Sequence, residues 1–159
     1  MGETVELNQW FQDADAVACV LPAERYFGMM RRTLELPGAF AALTRAEDGS
    51  ARVWPAGARV PGDGVAEMLL VRALPFELIL DFPQLPAADQ YLCDARVTVQ
   101  VQVLTERTEL EALAGQVLGS RTHADSAAVV RYLAPHLERA LRAFVAEHQA
   151  GALVEARVA

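Results

Sequence analysis

A strictly alternating segment in the second half of the chain constrains its fold most. From Arg96 to Val103, valine occupies every second position and polar residues occupy the positions between. Successive side chains of a β-strand point to opposite faces, so this period of two predicts a strand with one apolar and one solvated face. We expect this strand to be the structural spine of a sheet, with its valines in the core.

Further strand signals precede it. Residues 39–44 and Ala51–Trp54 are apolar or β-forming runs, and the Asp-Gly turn of Glu47–Ser50 joins them into a predicted hairpin. Met68–Val71 and Phe76–Phe82 predict two more strands.

Helical spacing dominates both ends of the chain. Residues 5–21 predict an amphipathic helix, and residues 23–32 predict a second, short one. The apolar stripe of the first helix must bury against something, so we assign it as an interaction surface; its members are Leu7, Trp10, Phe11, Ala14, Val17 and Leu21.

Two helices are predicted near the C-terminal end. Thr108-x-x-Glu111 has the spacing of a capping box, and Gly119 stands where that helix would end. A longer helix is predicted from Asp125 or Ser126, with a kink or break expected near Ala134 because Pro135 removes a backbone donor. The elements together predict an α+β fold, an antiparallel-rich sheet with helices packed on one side, preceded by the amphipathic N-terminal helix.

Charge and composition exclude several functions. The 159 residues carry a net charge of −7, and the basic residues are arginine without any lysine. A phosphate-binding loop of the Walker type needs lysine, and nucleic acid needs clustered cations, so neither is expected. The acidic start of the chain, with Glu3, Glu6, Asp13 and Asp15, is unlike a signal peptide and favours the cytoplasm. Membrane association is expected only indirectly or peripherally.

No catalytic, cofactor-binding or metal-binding residues are predicted. Cys19 and Cys93 stand in apolar stretches and suit a reducing compartment. His123, His136 and His148 lack metal-ligand spacing. The tetrad His123-Ala-Asp-Ser126 contains the residue types of a hydrolase triad, but helix capping by its Asp or Ser explains it more simply.

The segments from about Gly38 to Gly151 resemble, in order, the domain shared by stomatins, prohibitins and flotillins, the SPFH or band 7 domain. The features are the acidic-Gly hairpin turn at Asp48-Gly49, the element Pro55-Ala-Gly57, the alternating strand followed by a helix, and the run Ala140-Leu-Arg142 in the long helix. The chain is similar to a divergent or truncated member of this family. We then expect an N-terminal helical extension at 1–36, the SPFH-like domain at 37–151 and a tail at 152–159.

The resemblance implies a scaffold whose domains pack side by side into homo-oligomers and recruit protein partners. Two alternatives remain open: a small-ligand-binding module with a pocket between sheet and helices, and a hydrolase using His123 or His136. The stripe of the first helix has three possible destinations, namely its own domain, a second subunit or lipid, and its acidic polar face disfavours lipid.

Overall fold

The structure, a computed structural model, describes residues 2–155 and the side chains of residues 6–154. Its helices are α1 (Gly2–Gln12), α2 (Ala23–Tyr26), α3 (Arg107–Leu113), α4 (Ser126–Ala146) and α5 (Ala150–Glu155). Its strands are β1 (Ala16–Pro22), β2 (Thr33–Glu35), β3 (Phe40–Ala46), β4 (Ala51–Trp54), β5 (Arg59–Pro61), β6 (Val65–Arg72), β7 (Phe76–Pro86), β8 (Leu92–Val101) and β9 (His123–Asp125). The side chain of Glu3 and residues 156–159 of the predicted tail lie outside this description.

The chain forms two compact units. The sheet unit contains the residues up to Phe76 together with Val101–Val129, and the hairpin unit contains Glu77–Gln100 and the chain from Val130 onward. The predicted division at residues 36 and 151 stays a prediction. No helix within residues 2–155 is long and apolar enough to cross a bilayer.

A five-stranded antiparallel sheet organises the sheet unit, in the order β4-β3-β6-β1-β9. Leu70 of β6 is at its centre, opposite Cys19 of β1 on one side and Ala42 of β3 on the other. The predicted hairpin of β3 and β4 is confirmed, with Gly49 at φ 84° in its turn. The mixed α+β class is therefore confirmed.

The sheet is covered on both faces, so the prediction of helices on one side only is wrong. Phe40 and Arg45 lie on opposite faces of β3, because they are five residues apart on one strand. The ring of Trp10 on α1 contacts Phe40, with 5.0 Å between ring centroids. Glu111 on α3 lies 3.8 Å from Arg45. Helices of the sheet unit thus contact both faces.

The prediction of one helix over residues 5–21 is also wrong. The helix ends at Gln12, and Ala16–Pro22 forms β1, hydrogen-bonded between β6 and β9. Val17, Ala18 and Cys19 are at most 1% exposed. A continuous apolar run suits a strand buried on both faces as well as a helix, so its periodicity could not distinguish the two. The predicted second helix, 23–32, is likewise confined to Ala23–Tyr26.

The helix boundaries near the C-terminal end follow the sequence only in part. The capping-box prediction is wrong, because α3 begins at Arg107 after Glu106, which makes no side-chain cap. A π-helical turn continues α3 and ends at Gly119, whose φ of 59° confirms the predicted terminal glycine. Asp125 caps α4 as predicted, accepting from the Ala128 amide at 2.9 Å. A break near Ala134 does not occur, since α4 continues through Pro135, and the alternative expectation of a kink there stays a prediction.

In the hairpin unit, β7 and β8 form a separate two-stranded sheet. The predicted alternation of β8 is confirmed, since its exposed and half-buried residues follow each other without exception from Leu92 to Val101. The prediction that this strand is the spine is wrong, because its valines are half-buried and it pairs only with β7 among the described residues. The fully buried centre of the fold lies in the sheet unit.

Candidate functional site

Helix α1 docks on the sheet unit through an aromatic cluster. The rings of Trp10 and Phe11 each lie 5.0 Å from the ring of Phe40, centroid to centroid. Arg72 fixes the turn that follows α1, since its side chain donates to the carbonyl oxygens of Ala16 at 2.7 Å and Asp13 at 2.8 Å. Trp10 and Phe11 thus contact Phe40 of their own chain, and covering of these half-buried rings by a second subunit or by lipid stays untested.

The residues predicted as one interaction surface do not form a single stripe. Leu7 is buried on α1, Ala14 is exposed in the turn after it, and Val17 is buried within β1. Leu21 is half-buried near the end of β1. The change from helix to strand at residue 16 separates these residues. The apolar stripe inferred from the sequence therefore combined residues of a helix with residues of a strand, which have different periodicities.

Between α1 and β1 lies a partly open cavity of about 230 Å³. Its apolar walls include Leu7, Trp10 and Leu21, and buried Cys19 also lines it. Exposed polar residues also line it, namely Glu6 on α1, Arg25 on α2, Thr122 just before β9 and His123 on β9. The arrangement is an apolar interior with a charged rim.

Cys19 and His123 are directly opposite each other in the pairing of β1 with β9, so both side chains are on one face of the sheet. Burial raises the pKa of the Cys19 thiol to about 12, so the thiol is protonated at neutral pH. Nucleophilic cysteines need the thiolate, which His⁺ or a helix N-terminus stabilises. This pair therefore lacks the electrostatics of an activated nucleophile.

The tetrad at residues 123–126 also separates in the structure. The Ser126 hydroxyl donates to Asp15, and the Asp125 carboxylate accepts from the α4 backbone. His123 Nδ1 instead lies 2.9 Å from the Thr122 hydroxyl. Asp125 and Ser126 thus hold the start of α4, and the capping explanation of the sequence is confirmed for Asp125.

The other two histidines belong to α4 and the linker after it. The ring of His136 packs against Tyr132 at 5.7 Å, and His148 Nδ1 is 2.7 Å from the Phe144 carbonyl oxygen. Among the side chains of residues 6–154, no three His, Cys, Asp or Glu residues converge in a way that could hold a metal ion.

A tight turn after α2 exposes two methionines. Gly28 and Arg31 exchange both backbone hydrogen bonds, at 3.0 and 3.1 Å, which leaves Met29 and Met30 at the tip. Met29 is 96% exposed and Met30 is 101% exposed. Methionine side chains are flexible and polarizable, a property of surfaces that bind varied protein partners.

The outer edge of β8 is a second surface available for association. The strand has ten residues without proline or glycine, and no backbone hydrogen bond joins it to a described residue outside the hairpin. Its partner β7 carries Pro83 and Pro86, and proline blunts the edge on which its nitrogen lies. Of the two strands of this hairpin, β8 is therefore the one whose outer edge no proline interrupts.

The exposed face of the hairpin carries both charged and apolar side chains. Arg96 Nε donates to Asp81 Oδ1 at 2.7 Å across the two strands, and this bond holds the pKa of Asp81 below its ordinary value. Ile79 and Leu92 on the same face are 58% and 63% exposed. Sequence reasoning identified the alternation of β8 but missed its free edge, which the prolines of β7 could have indicated.

Compared with models of known protein families and with curated proteins, the chain matches none.

Proposed function

We propose that the chain is a non-enzymatic cytoplasmic scaffold or adaptor that associates with copies of itself and recruits partner proteins. The observation that carries this proposal is the edge of β8 that pairs with no described strand, ten residues long and without proline or glycine. An SPFH-like arrangement of the domain is part of the same proposal, supported by the residues that carry the resemblance.

A second copy of the chain suits the β8 edge because the β8 strands of two copies can pair with each other in antiparallel orientation. In a two-fold dimer the same surface is used on both subunits. Antiparallel pairing centred on Val97 would place Arg96 opposite Thr98 and Asp94 opposite Gln100. No like charges then face each other, and like charges directly opposite would be destabilising. The half-buried Val97 and Val99 would lose further solvent exposure in the resulting four-stranded sheet.

Recruitment of other proteins is supported by a different surface, the turn that carries Met29 and Met30. Nearly complete exposure of two consecutive methionines has no explanation in packing. Surfaces rich in exposed methionine adapt to partners of varied shape, as an adaptor requires.

Proline substitution along β8 tests self-association. The backbone N–H groups of successive strand residues point to opposite sides of the strand. Proline has no N–H, so one of the variants Thr98→Pro and Val99→Pro removes a donor from the free edge of β8. The other removes a backbone hydrogen bond between β8 and β7. We expect the wild-type chain to be a dimer or larger oligomer by size-exclusion chromatography with light scattering. One of the two variants should keep the wild-type far-UV circular dichroism and become monomeric.

The exposed Thr98→Lys is a milder variant that also discourages edge pairing and keeps every backbone donor. Glu47→Lys, in the exposed turn after β3, is the matched control with a new charge elsewhere and should leave the mass unchanged. A wild-type chain that is monomeric at all accessible concentrations would refute the proposal. An oligomer unaffected by Thr98→Lys and by both prolines would refute the role of the β8 edge.

A further inference from the structure

Two consecutive thioethers at the tip of the turn after α2 are open to solvent. Met29 is 96% exposed and Met30 is 101% exposed, whereas Met68, in β6 of the same sheet unit, is 0% exposed. These are the methionines among the described side chains, because Met1 lies outside them. The sheet unit therefore contains both extremes of methionine exposure, and the chemistry of the two environments can be compared within one chain.

The turn that carries the pair is held by contacts that involve neither thioether. Gly28 and Arg31 exchange both backbone hydrogen bonds, at 3.0 and 3.1 Å. The guanidinium of Arg31 lies 4.9 Å from the centroid of the Tyr26 ring. Because Met29 and Met30 are almost completely exposed, their side chains have little packing to lose. A chemical change at either sulfur is therefore expected to leave the turn and the fold intact.

A thioether reacts with a hydroperoxide by transfer of one oxygen atom. The sulfur lone pair attacks a peroxide oxygen, so that an S–O bond forms and the O–O bond breaks. The sulfur is oxidised to a sulfoxide, and hydrogen peroxide is reduced to water, which keeps both of its protons. Methionine sulfoxide reductases reverse the change: two thiols are oxidised to a disulfide, and the sulfoxide oxygen leaves as water.

We propose that Met29 and Met30 form a site of reversible oxidation by hydroperoxides in the folded chain. Oxidation converts a flexible apolar side chain into a polar one. At Met68 this change would place a new polar group in the core and disrupt its packing. At the turn it replaces an apolar tip by two sulfoxide oxygens that accept hydrogen bonds from water, and the core stays as it was. The pair is therefore suited to a reversible modification, whereas oxidation of Met68 would be damage.

Peptide mass mapping after brief treatment with hydrogen peroxide tests the selectivity. Trypsin cleaves after arginine, so the pair falls in the peptide 26–31 and Met68 falls in the peptide 60–72. In the native chain the pair should be oxidised at a rate within about threefold of that of N-acetylmethioninamide in the same solution. Met68 should react at least about a hundredfold more slowly, because a fully buried residue becomes accessible only when the surrounding structure opens.

Two controls separate exposure from intrinsic reactivity. In concentrated urea Met68 should react as fast as the pair, since burial no longer protects it. The double substitution Met29→Leu and Met30→Leu keeps side chains of similar size that cannot be oxidised, so the peptide 26–31 should no longer take up oxygen.

The state of the oxidised chain tests the reversibility. After modification of the pair alone, the wild-type chain should keep its far-UV circular dichroism spectrum and its urea midpoint. The two methionine sulfoxide reductases, one for each sulfoxide epimer, should restore its original mass in the presence of dithiothreitol without prior unfolding.

Three results would overturn the proposal. The first is oxidation of Met68 as fast as that of the pair in the native chain. The second is a lower urea midpoint or a changed circular dichroism spectrum when only the peptide 26–31 is modified, because the modification would then unfold the chain. The third is failure of the two reductases to restore the mass of the folded, oxidised chain. The test requires neither an oligomer nor a bound partner, so this proposal and the proposed scaffold function fail separately.

Discussion

Substitution of Val71 by alanine distinguishes the true centre of the fold from the strand that the sequence suggested. Val71 of β6 is fully buried, and its neighbours across the sheet are Ala18 and Ala41, which are fully buried too. Because both neighbours are already small, they cannot fill the space that two missing methyl groups leave. The site should therefore keep most of the cavity created.

The expected cost follows from the lost apolar contacts and the residual cavity. Two groups at about 0.8 kcal/mol each give about 1.6 kcal/mol of lost transfer free energy. A residual cavity of roughly 40 Å³ at about 24 cal/mol per Å³ adds about 1 kcal/mol. We expect Val71→Ala to lower the free energy of unfolding by about 2.5 kcal/mol. Val99→Ala makes the same chemical change at a half-buried position of β8 and should cost about 0.8 kcal/mol or less.

Urea denaturation followed by two signals measures this difference. Both tryptophans, Trp10 and Trp54, belong to the sheet unit, so their fluorescence reports on that unit, while far-UV circular dichroism reports on the whole chain. Val71→Ala should move the fluorescence midpoint clearly to lower urea, and Val99→Ala should move it little. Equal shifts of the fluorescence midpoint would show that β8 supports the main sheet and would refute the reasoning.

Two further predictions concern single side chains. The Cys19 thiol is buried and its pKa is raised to about 12, so it should resist alkylation by iodoacetamide at pH 8 in the folded chain, whereas half-buried Cys93 should react. Mass spectrometry of the labelled peptides measures the two reactions. Fast labelling of Cys19 would contradict its burial. Gly62→Ala would place a Cβ against the ring of Phe27 and should lower the free energy of unfolding, measured by urea denaturation, by about 1–3 kcal/mol. Gly38→Ala, with open space around its Cβ, should stay within about 0.5 kcal/mol of wild type.

Local turn and capping chemistry could be predicted from the sequence because it depends on adjacent residues. The hairpin of β3 and β4 needs only the Asp48-Gly49 turn and two apolar runs, and the structure has both strands where the sequence placed them. Asp125 and Gly119 mark helix ends for the same reason. The strand β9, only three residues long, could not be predicted, since its pairing with β1 joins residues about a hundred positions apart.

The burial of β1 on both of its faces explains why the sequence wrongly predicted one helix over residues 5–21. A strand with one solvent-exposed face can be recognised from the alternation of apolar and polar residues in its sequence. A strand covered on both faces shows only an uninterrupted apolar run. β1 is such a run, and the helical residues before it extended the apparent stripe from Leu7 to Leu21. The cavity lined by Leu7 and Leu21 therefore could not be predicted, because one continuous helix would have placed them about four turns apart.

The same physics gives the alternation of β8 a meaning opposite to its first interpretation. Strict alternation requires that one face of a strand stay in water, so the clearest strand signal in a chain marks a position near the surface. The strands at the centre of this fold, β1, β3 and β6, are instead buried over four or more consecutive residues. A strand near the surface without a second neighbour has unpaired backbone groups along one edge, and proline protects only its partner β7. The alternation that first indicated a core strand thus marks β8 as a strand near the surface, and its unpaired edge supports the proposed pairing with another copy of the chain.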